Sequence, residues 1–199
     1  MLHCCIIPAA GRSSRMGAWK PMLPWGSGTI CGAVVDTVLA AGLHPVLVAG
    51  YRADELVAVF GDRPDVTVVR NPDWEQGMLG SIRAGAQALS RIAPGYDGFL
   101  VAPADMPRLP VAGFARVLDE GKLRAANGAA CAVFAARGDR LGHPVWIPSG
   151  FVAGLWAREP DSRLRDYLLG LSWTGVQVDD DGIFADIDTP EAYAALNSH

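Results

Sequence analysis

Ile6-Ile7-Pro8-Ala9-Ala10-Gly11-Arg12-Ser13-Ser14-Arg15-Met16-Gly17-Ala18-Trp19-Lys20-Pro21-Met22-Leu23-Pro24 begins in a short strand and breaks into a small-residue loop that carries cations. The apolar run Leu2 to Ile7 has strand length, and the Ala, Gly and Ser that follow let a backbone pass close to a ligand. Arg12, Arg15 and Lys20 come next. A loop leaving the carboxyl end of a strand, with bare N–H groups and several cations, is an anion cradle, and a polyphosphate suits it best. Arg grips phosphate with two donors, while Lys acts as a mobile point charge. No Gly-Lys-Ser or Gly-Lys-Thr closes the loop, and its glycine spacing is not that of a dinucleotide fingerprint. The plain alternative is a polar turn with solvated cations.

The rest of the chain places that loop in a fold. At 199 residues, half of them apolar and 19% charged, it is long enough for one globular domain, residues 1–199, with a sizeable core. A net charge of −4 gives no basic footprint for nucleic acid, and no apolar segment approaches a membrane span. Cys4, Cys5, Cys31 and Cys131 form no CxxC pair; they read as buried small hydrophobes in a reducing, cytoplasmic compartment, with Cys4 and Cys5 on opposite faces of a strand. The apolar start lacks a basic leader and stops at Pro8, unlike a signal peptide.

Helices are expected at Thr29 to Ala41 (with Gly42 as its cap), Asp54 to Phe60, Met78 to Ser90 and Pro110 to Glu120. Strands are expected at Pro45 to Ala49, Val66 to Val69, Gly98 to Ala102 and Ala129 to Ala135. This alternation predicts an α/β fold, a largely parallel sheet with helices on both faces. The last third is less regular: a strand at Pro144 to Ile147, helical stretches at Ser149 to Trp156 and Ser162 to Leu169, and a strand at Thr174 to Val178. Thr189 should cap a final helix that has Pro190 at its first position and runs to about Leu196.

Four more constellations carry chemistry. Asp105, in Ala102-Pro103-Ala104-Asp105-Met106-Pro107, follows a buried strand at the sheet edge where α/β ligands lie. A carboxylate facing a polyphosphate there works through magnesium; the alternative is a cap for the next helix. In Asp186-Ile187-Asp188 both carboxylates would share one side of an extended segment and, together with Asp105, could anchor one or two magnesium ions; the alternative, stronger for Asp188 than for Asp186, is a cap for the final helix region. His143, fixed between Gly142 and Pro144, either touches substrate or is structural. Asn71 to Gly85 leads into a small-residue helix start that could offer N–H groups and the Ser81 hydroxyl to a base, ribose or phosphate; alternatively it is a tight turn plugged by Trp74.

Taken in order, these motifs resemble those of the MobA-like nucleotidyltransferases, most closely their molybdenum cofactor cytidylyltransferase branch, over nearly the whole chain. The resemblance implies a three-layer, Rossmann-like fold of the GT-A type. It implies transfer of a nucleoside monophosphate from an NTP to an acceptor phosphate with release of pyrophosphate. Lys20, Arg15 and Asp105 would be catalytic. Ala9, Ala10, Gly11, Arg12, Ser13, Arg15, Lys20, Asn71 and Ser81 would hold the nucleotide, Asp105 and Asp186 would hold Mg2+, and His143 would sit near the acceptor. Ala9-Ala10-Gly11 looks like the CTP-using branch, since guanosine-using relatives tend to carry Gly where Ala10 stands. The acceptor would be a molybdopterin-type cofactor, and a molybdoenzyme its receiver. Sugar-phosphate or alcohol-phosphate transfer, or a nucleotide-binding chaperone for cofactor insertion, are the competing readings. Two stretches depart from the family pattern. Leu79-Gly80 stands in place of a Ser-rich stretch, and Glu159 to Arg165 in place of a Gly-rich segment on the acceptor side.

Overall fold

A computed structural model describes residues 2–14, 16–159 and 162–197. The chain runs β1 (Cys4–Pro8), a short hairpin of β2 (Pro24–Trp25) and β3 (Gly28–Thr29), α1 (Ile30–Ala40), β4 (His44–Ala49), α2 (Ala53–Phe60) and β5 (Thr67–Arg70). It continues α3 (Met78–Ile92), β6 (Gly98–Val101), α4 (Val111–Ala126), β7 (Ala132–Arg137), β8 (Arg140–Pro148), α5 (Val152–Trp156), α6 (Leu164–Leu169), β9 (Trp173–Gln177) and α7 (Pro190–Asn197). The expected elements are present. Thr29 caps α1 by accepting the Gly32 N–H at 3.1 Å, and Gly42 turns the chain out of that helix with φ 73°. No helix among the described residues is long and apolar enough to cross a membrane.

The central sheet has seven strands in the order β5-β4-β1-β6-β8-β7-β9. β5, β4, β1 and β6 are parallel. Period-2 alternation splits their side chains between two cores. Cys5, Ile7, Leu47, Leu100 and Val133 face α1, α2 and α4, which contribute Val34, Val35, Leu56, Phe60, Phe114 and Val117. Cys4, Ile6, Val46, Val48, Phe99 and Phe134 face α3, α5 and α6, with Leu79, Ile82, Leu89, Leu155 and Leu168. Cys4 and Cys5 therefore do lie on opposite faces. From β1 the chain winds outward through β4 and β5, then returns along α3 to β6 on the other side of β1. A crevice opens at the carboxyl ends of β1 and β6, where the direction of winding reverses.

The second half departs from regular alternation. β8 is longer than the expected Pro144 to Ile147 strand and runs antiparallel to both β6 and β7. Only Gly138 and Asp139 separate β7 from β8, too short for a parallel crossover, and Gly138 takes the left-handed φ of 59° that such a turn needs.

Trp146 on β8 decides how α4 sits on the sheet. Its ring lies 1% exposed between the backbones of Gly98 on β6 and Gly121 on α4. A methyl at Gly121 would come 2.5 Å from the ring. Alanine is favoured over glycine within a helix by about 1 kcal/mol. Overpacking a close-packed core costs roughly 1–3 kcal/mol. The clash is with a rigid ring backed by the sheet, so the packing loss should win. Gly121→Ala is expected to lower the melting temperature by a few degrees in a thermal melt; an unchanged or raised melting temperature would show that Trp146 can move aside.

Candidate active site

The loop after β1 forms one wall of a cavity of about 320 Å³ at the sheet's carboxyl edge. Ala9, Ala10, Gly11, Ser13 and Lys20 line it from this loop, Trp74 from the approach to α3, Ser81 from the first turn of α3, and Pro103, Ala104 and Asp105 from the loop after β6. The loop's shape is built locally. Ser13 takes a left-handed φ of 56°, its carbonyl accepts the Met16 N–H at 3.0 Å, and its hydroxyl accepts the Lys20 N–H at 3.1 Å. Trp19 is buried and donates its indole N–H to the Gly11 carbonyl at 3.2 Å. Gly50 leaves room behind the loop, since a side chain there would run into Trp74 and into the Ala10 methyl at 2.7 Å.

Lys20 is the charged centre of the cavity. Its residue is only 8% exposed, and its ammonium donates to Asp105 Oδ2 at 3.0 Å and to Asp188 Oδ1 at 2.6 Å. Burial alone would lower the lysine's pKa. The hydrogen bonds and charges of Asp188 and Asp105 outweigh it and raise the pKa above 10.5. Asp105 is held above the ordinary carboxylate range, first by burial and further by the charge of Asp188, with Lys20 pulling the other way.

The expected metal pair is corrected here. Asp188 meets Asp105, whereas Asp186 is exposed and lies outside the cavity lining. The Asp186 to Asp188 segment belongs to no sheet strand, so the alternation of a strand does not place both side chains alike. Ile187 is fully buried, its N–H donates to the Asp105 carbonyl at 3.0 Å, and this contact sets Asp188 beside Lys20. Lys20, which sequence reasoning left out of this pairing, is the cation between the carboxylates; Arg108, three residues beyond Asp105, donates instead to the Leu196 carbonyl at 2.6 Å. The ammonium stands where two carboxylates would share a divalent ion. No group of three or more His, Cys, Asp or Glu that could hold a metal exists among the described residues. An ion here would therefore take its remaining oxygens from a bound phosphate, which suits Mg2+.

The other expected site residues divide. Ser81 is buried and lines the cavity. Asn71 does not line it; its amide donates to the Ser81 hydroxyl at 3.2 Å and so holds that group in place. Arg12 is turned onto an aromatic pair, its guanidinium 5.5 Å from the Tyr51 ring centroid and 5.8 Å from that of Trp74. Trp74 is thus both a packing partner and a wall of the cavity. Arg15 lies outside the described residues. His143 lines a different, adjoining cavity. Burial pushes its imidazole down to about 4 against a hydrogen bond with the Val101 backbone, and Arg165 lowers it further.

Residues 5–174 match the family model described as the MobA-like NTP transferase domain, and the chain belongs to that family. It is 32% identical to the molybdenum cofactor cytidylyltransferase of Escherichia coli strain K12, over 95% of this chain and 92% of that one. It is 28% identical to the nicotine blue oxidoreductase of Paenarthrobacter nicotinovorans, over 94% and 92% of the two chains. Its fold is similar to the crystal structure of Rv0371c from Mycobacterium tuberculosis H37Rv, with a TM-score of 0.80, 25% identity and full coverage of both chains.

Lys20→Met removes the ammonium that bridges Asp105 and Asp188. The Asp105 pKa should then rise further, and a carboxyl whose folded-state pKa is raised is stabilised by protonation. The loss of stability is expected to be largest near neutral pH, about 1–3 kcal/mol, below the figure for fully buried pairs because Asp188 is 42% exposed. It should shrink as pH falls through the raised Asp105 value. In the unaltered protein the Lys20 contribution should hold below pH 10.5 and fade as pH rises through its higher folded-state pKa. Melting curves of both proteins against pH test this; a loss independent of pH would assign the lysine a packing role.

Proposed function

We propose that this protein moves CMP from CTP to the phosphate of a molybdopterin-type cofactor, releasing pyrophosphate, with Mg2+ as the metal. The observation that carries this reading is the Lys20 ammonium between Asp105 and Asp188, inside a cavity walled by the small-residue loop of a family member. Similarity to a molybdenum cofactor cytidylyltransferase supports the choice of donor and acceptor.

In this reading Ala9 to Ser13, Arg15 and Lys20 hold the triphosphate, and Ser81, oriented by Asn71, faces the nucleoside. Asp105 and Asp188, in place of Asp186, would hold the metal. When bound, that ion neutralises phosphate charge and stabilises the leaving group. An oxygen of the acceptor phosphate attacks the α-phosphorus, the new P–O bond forms, the bond to the β-phosphate breaks, and pyrophosphate leaves. The attacking oxygen is already ionised, so no side chain needs to remove a proton. Lys20 follows the negative charge as it moves onto the leaving pyrophosphate. The four cysteines are free and buried, in keeping with a cytoplasmic protein; in this reading a molybdoenzyme would receive the product.

Pyrophosphate release, measured with CTP or GTP, Mg2+ and a set of acceptor phosphates, tests the proposal. Ala10 lines the cavity, and its methyl, where guanosine-using relatives tend to carry Gly, would crowd a purine base, so CTP should be preferred by about 10–200-fold in kcat/KM. Equal or better turnover of GTP would overturn the donor assignment. Tight nucleotide binding without pyrophosphate release from any acceptor would instead make the protein a cofactor-insertion chaperone. Lys20→Ala should lower kcat by on the order of 10² to 10³ at saturating CTP; near-normal turnover would remove the lysine from the reaction.

A further inference from the structure

Lys20 stands between the two carboxylates proposed to hold the metal. Its ammonium donates to Asp105 Oδ2 at 3.0 Å and to Asp188 Oδ1 at 2.6 Å. The lysine side chain is 10% exposed, against 27% for Asp105 and 42% for Asp188, so the cation is the most buried member of the three. The backbone of Lys20 is pinned on both sides. Its N–H donates to the Ser13 hydroxyl at 3.1 Å, and its carbonyl accepts the Leu23 N–H at 3.0 Å. Any exchange of partners by the ammonium therefore has to come from the torsions of its flexible four-carbon stem. Lys20, Asp105 and Asp188 line the same cavity, so such a turn stays within it.

This placement sets a condition on any divalent ion. An ion that approaches the pair must push the ammonium aside or sit beside it. Pushed aside, the ammonium loses two charge-assisted hydrogen bonds in a place with little water, and a buried charge stripped of its partners is strongly unfavourable. Apart from the two carboxylates, the acceptors among the described lining side chains are the hydroxyls of Ser13, Ser14 and Ser81, which carry no charge. Side by side, the two cations repel in surroundings of low dielectric. A triphosphate removes both obstacles. Its oxygens accept from the ammonium as a carboxylate does, Asp105 and Asp188 are released, and further phosphate oxygens complete the ligand set of a hard divalent ion.

We propose that Lys20 is a specificity-determining residue: it keeps free divalent cations off Asp105 and Asp188, so that the pair takes a metal only together with a triphosphate. This role rests on the reading of the cavity as the nucleotide site. Ion and triphosphate then raise each other's affinity by the same factor, because coupling between two ligands is reciprocal.

The test is water-proton relaxation with Mn2+ as the probe, since the signal is enhanced when that ion joins a slowly tumbling protein. Nucleotide-free wild-type protein should bind Mn2+ at least ~10-fold more weakly than the same protein with CTP, within the usual range of such couplings. Nucleotide-free Lys20→Met should bind Mn2+ at least ~10-fold more tightly than nucleotide-free wild type, the scale of one hydrogen bond to a charged group. Mn2+ should also raise the melting temperature of that variant. Adding Asp105→Asn to Lys20→Met should remove the gain. The wild-type comparison with and without CTP stands by itself if the variants do not fold. Equal Mn2+ affinity in nucleotide-free wild type and Lys20→Met overturns the proposal. Tight binding that survives Asp105→Asn places the ion elsewhere and also overturns it, as does CTP that binds the wild type without strengthening Mn2+. A gain in Lys20→Met, with no CTP binding to either protein, upholds the exclusion by Lys20 and moves the failure to the nucleotide reading.

Discussion

One ammonium group ties together three parts of the chain that are far apart in sequence. Lys20 reaches from the loop after β1 to Asp105 after β6 and to Asp188 near the last helix, at 3.0 and 2.6 Å. Each group alone would be costly in this half-buried place. A lone ammonium would lose its proton more readily, and two lone carboxylates would repel. Together they satisfy one another, and the Ile187 N–H on the Asp105 carbonyl locks the arrangement from the backbone side. Ile187, Met16 and Ile30 form a small core of their own beneath it. The polar triad and that apolar cluster hold the same loops.

The triad can form because of what lies under it. β1 is buried on both faces, with a parallel neighbour on each side, so its carboxyl end is among the better-fixed points in the molecule. β6 ends beside it and delivers Asp105 over a single turn. Small residues then decide what can come close. Gly50 makes room for the Ala10 methyl and Trp74, and the aromatic group of Trp19, Tyr51 and Trp74 holds the outer side of the loop. A rigid wall on one side and an ion triad on the other leave an open, cation-bearing cavity between them.

The two halves of the sheet contribute different things. The parallel half supplies most of the first cavity, and the antiparallel half with α6 supplies the second. Relatives of this chain carry names as different as molybdenum cofactor cytidylyltransferase and nicotine blue oxidoreductase. A scaffold in which the second cavity is lined by short helices and a hairpin, apart from the loop after β1, lets one part change with less effect on the other.

Local signals in the sequence determined much of this. Short apolar runs marked the strands, and the two-sided geometry of a strand assigned Cys4 and Cys5 to opposite faces. Thr29 and Thr189 marked helix starts that do close by side-chain hydrogen bonds, to the N–H groups of Gly32 and Ala192. The loop from Ala9 to Lys20 announced its own character, because small residues and cations follow a strand within a few positions. Caps, turns and alternation act over a handful of residues and can be read where they stand. The antiparallel β8 was signalled too, by Gly138-Asp139, but the expectation of steady alternation obscured it. Tertiary structure alone decided which carboxylate of Asp186-Ile187-Asp188 turns inward, that Lys20 bridges rather than stands free, and that His143 belongs to a second cavity. Those outcomes depend on packing between segments up to 168 residues apart, such as Ile187 seated against the loop after β6, and no local pattern encodes where two distant loops will meet.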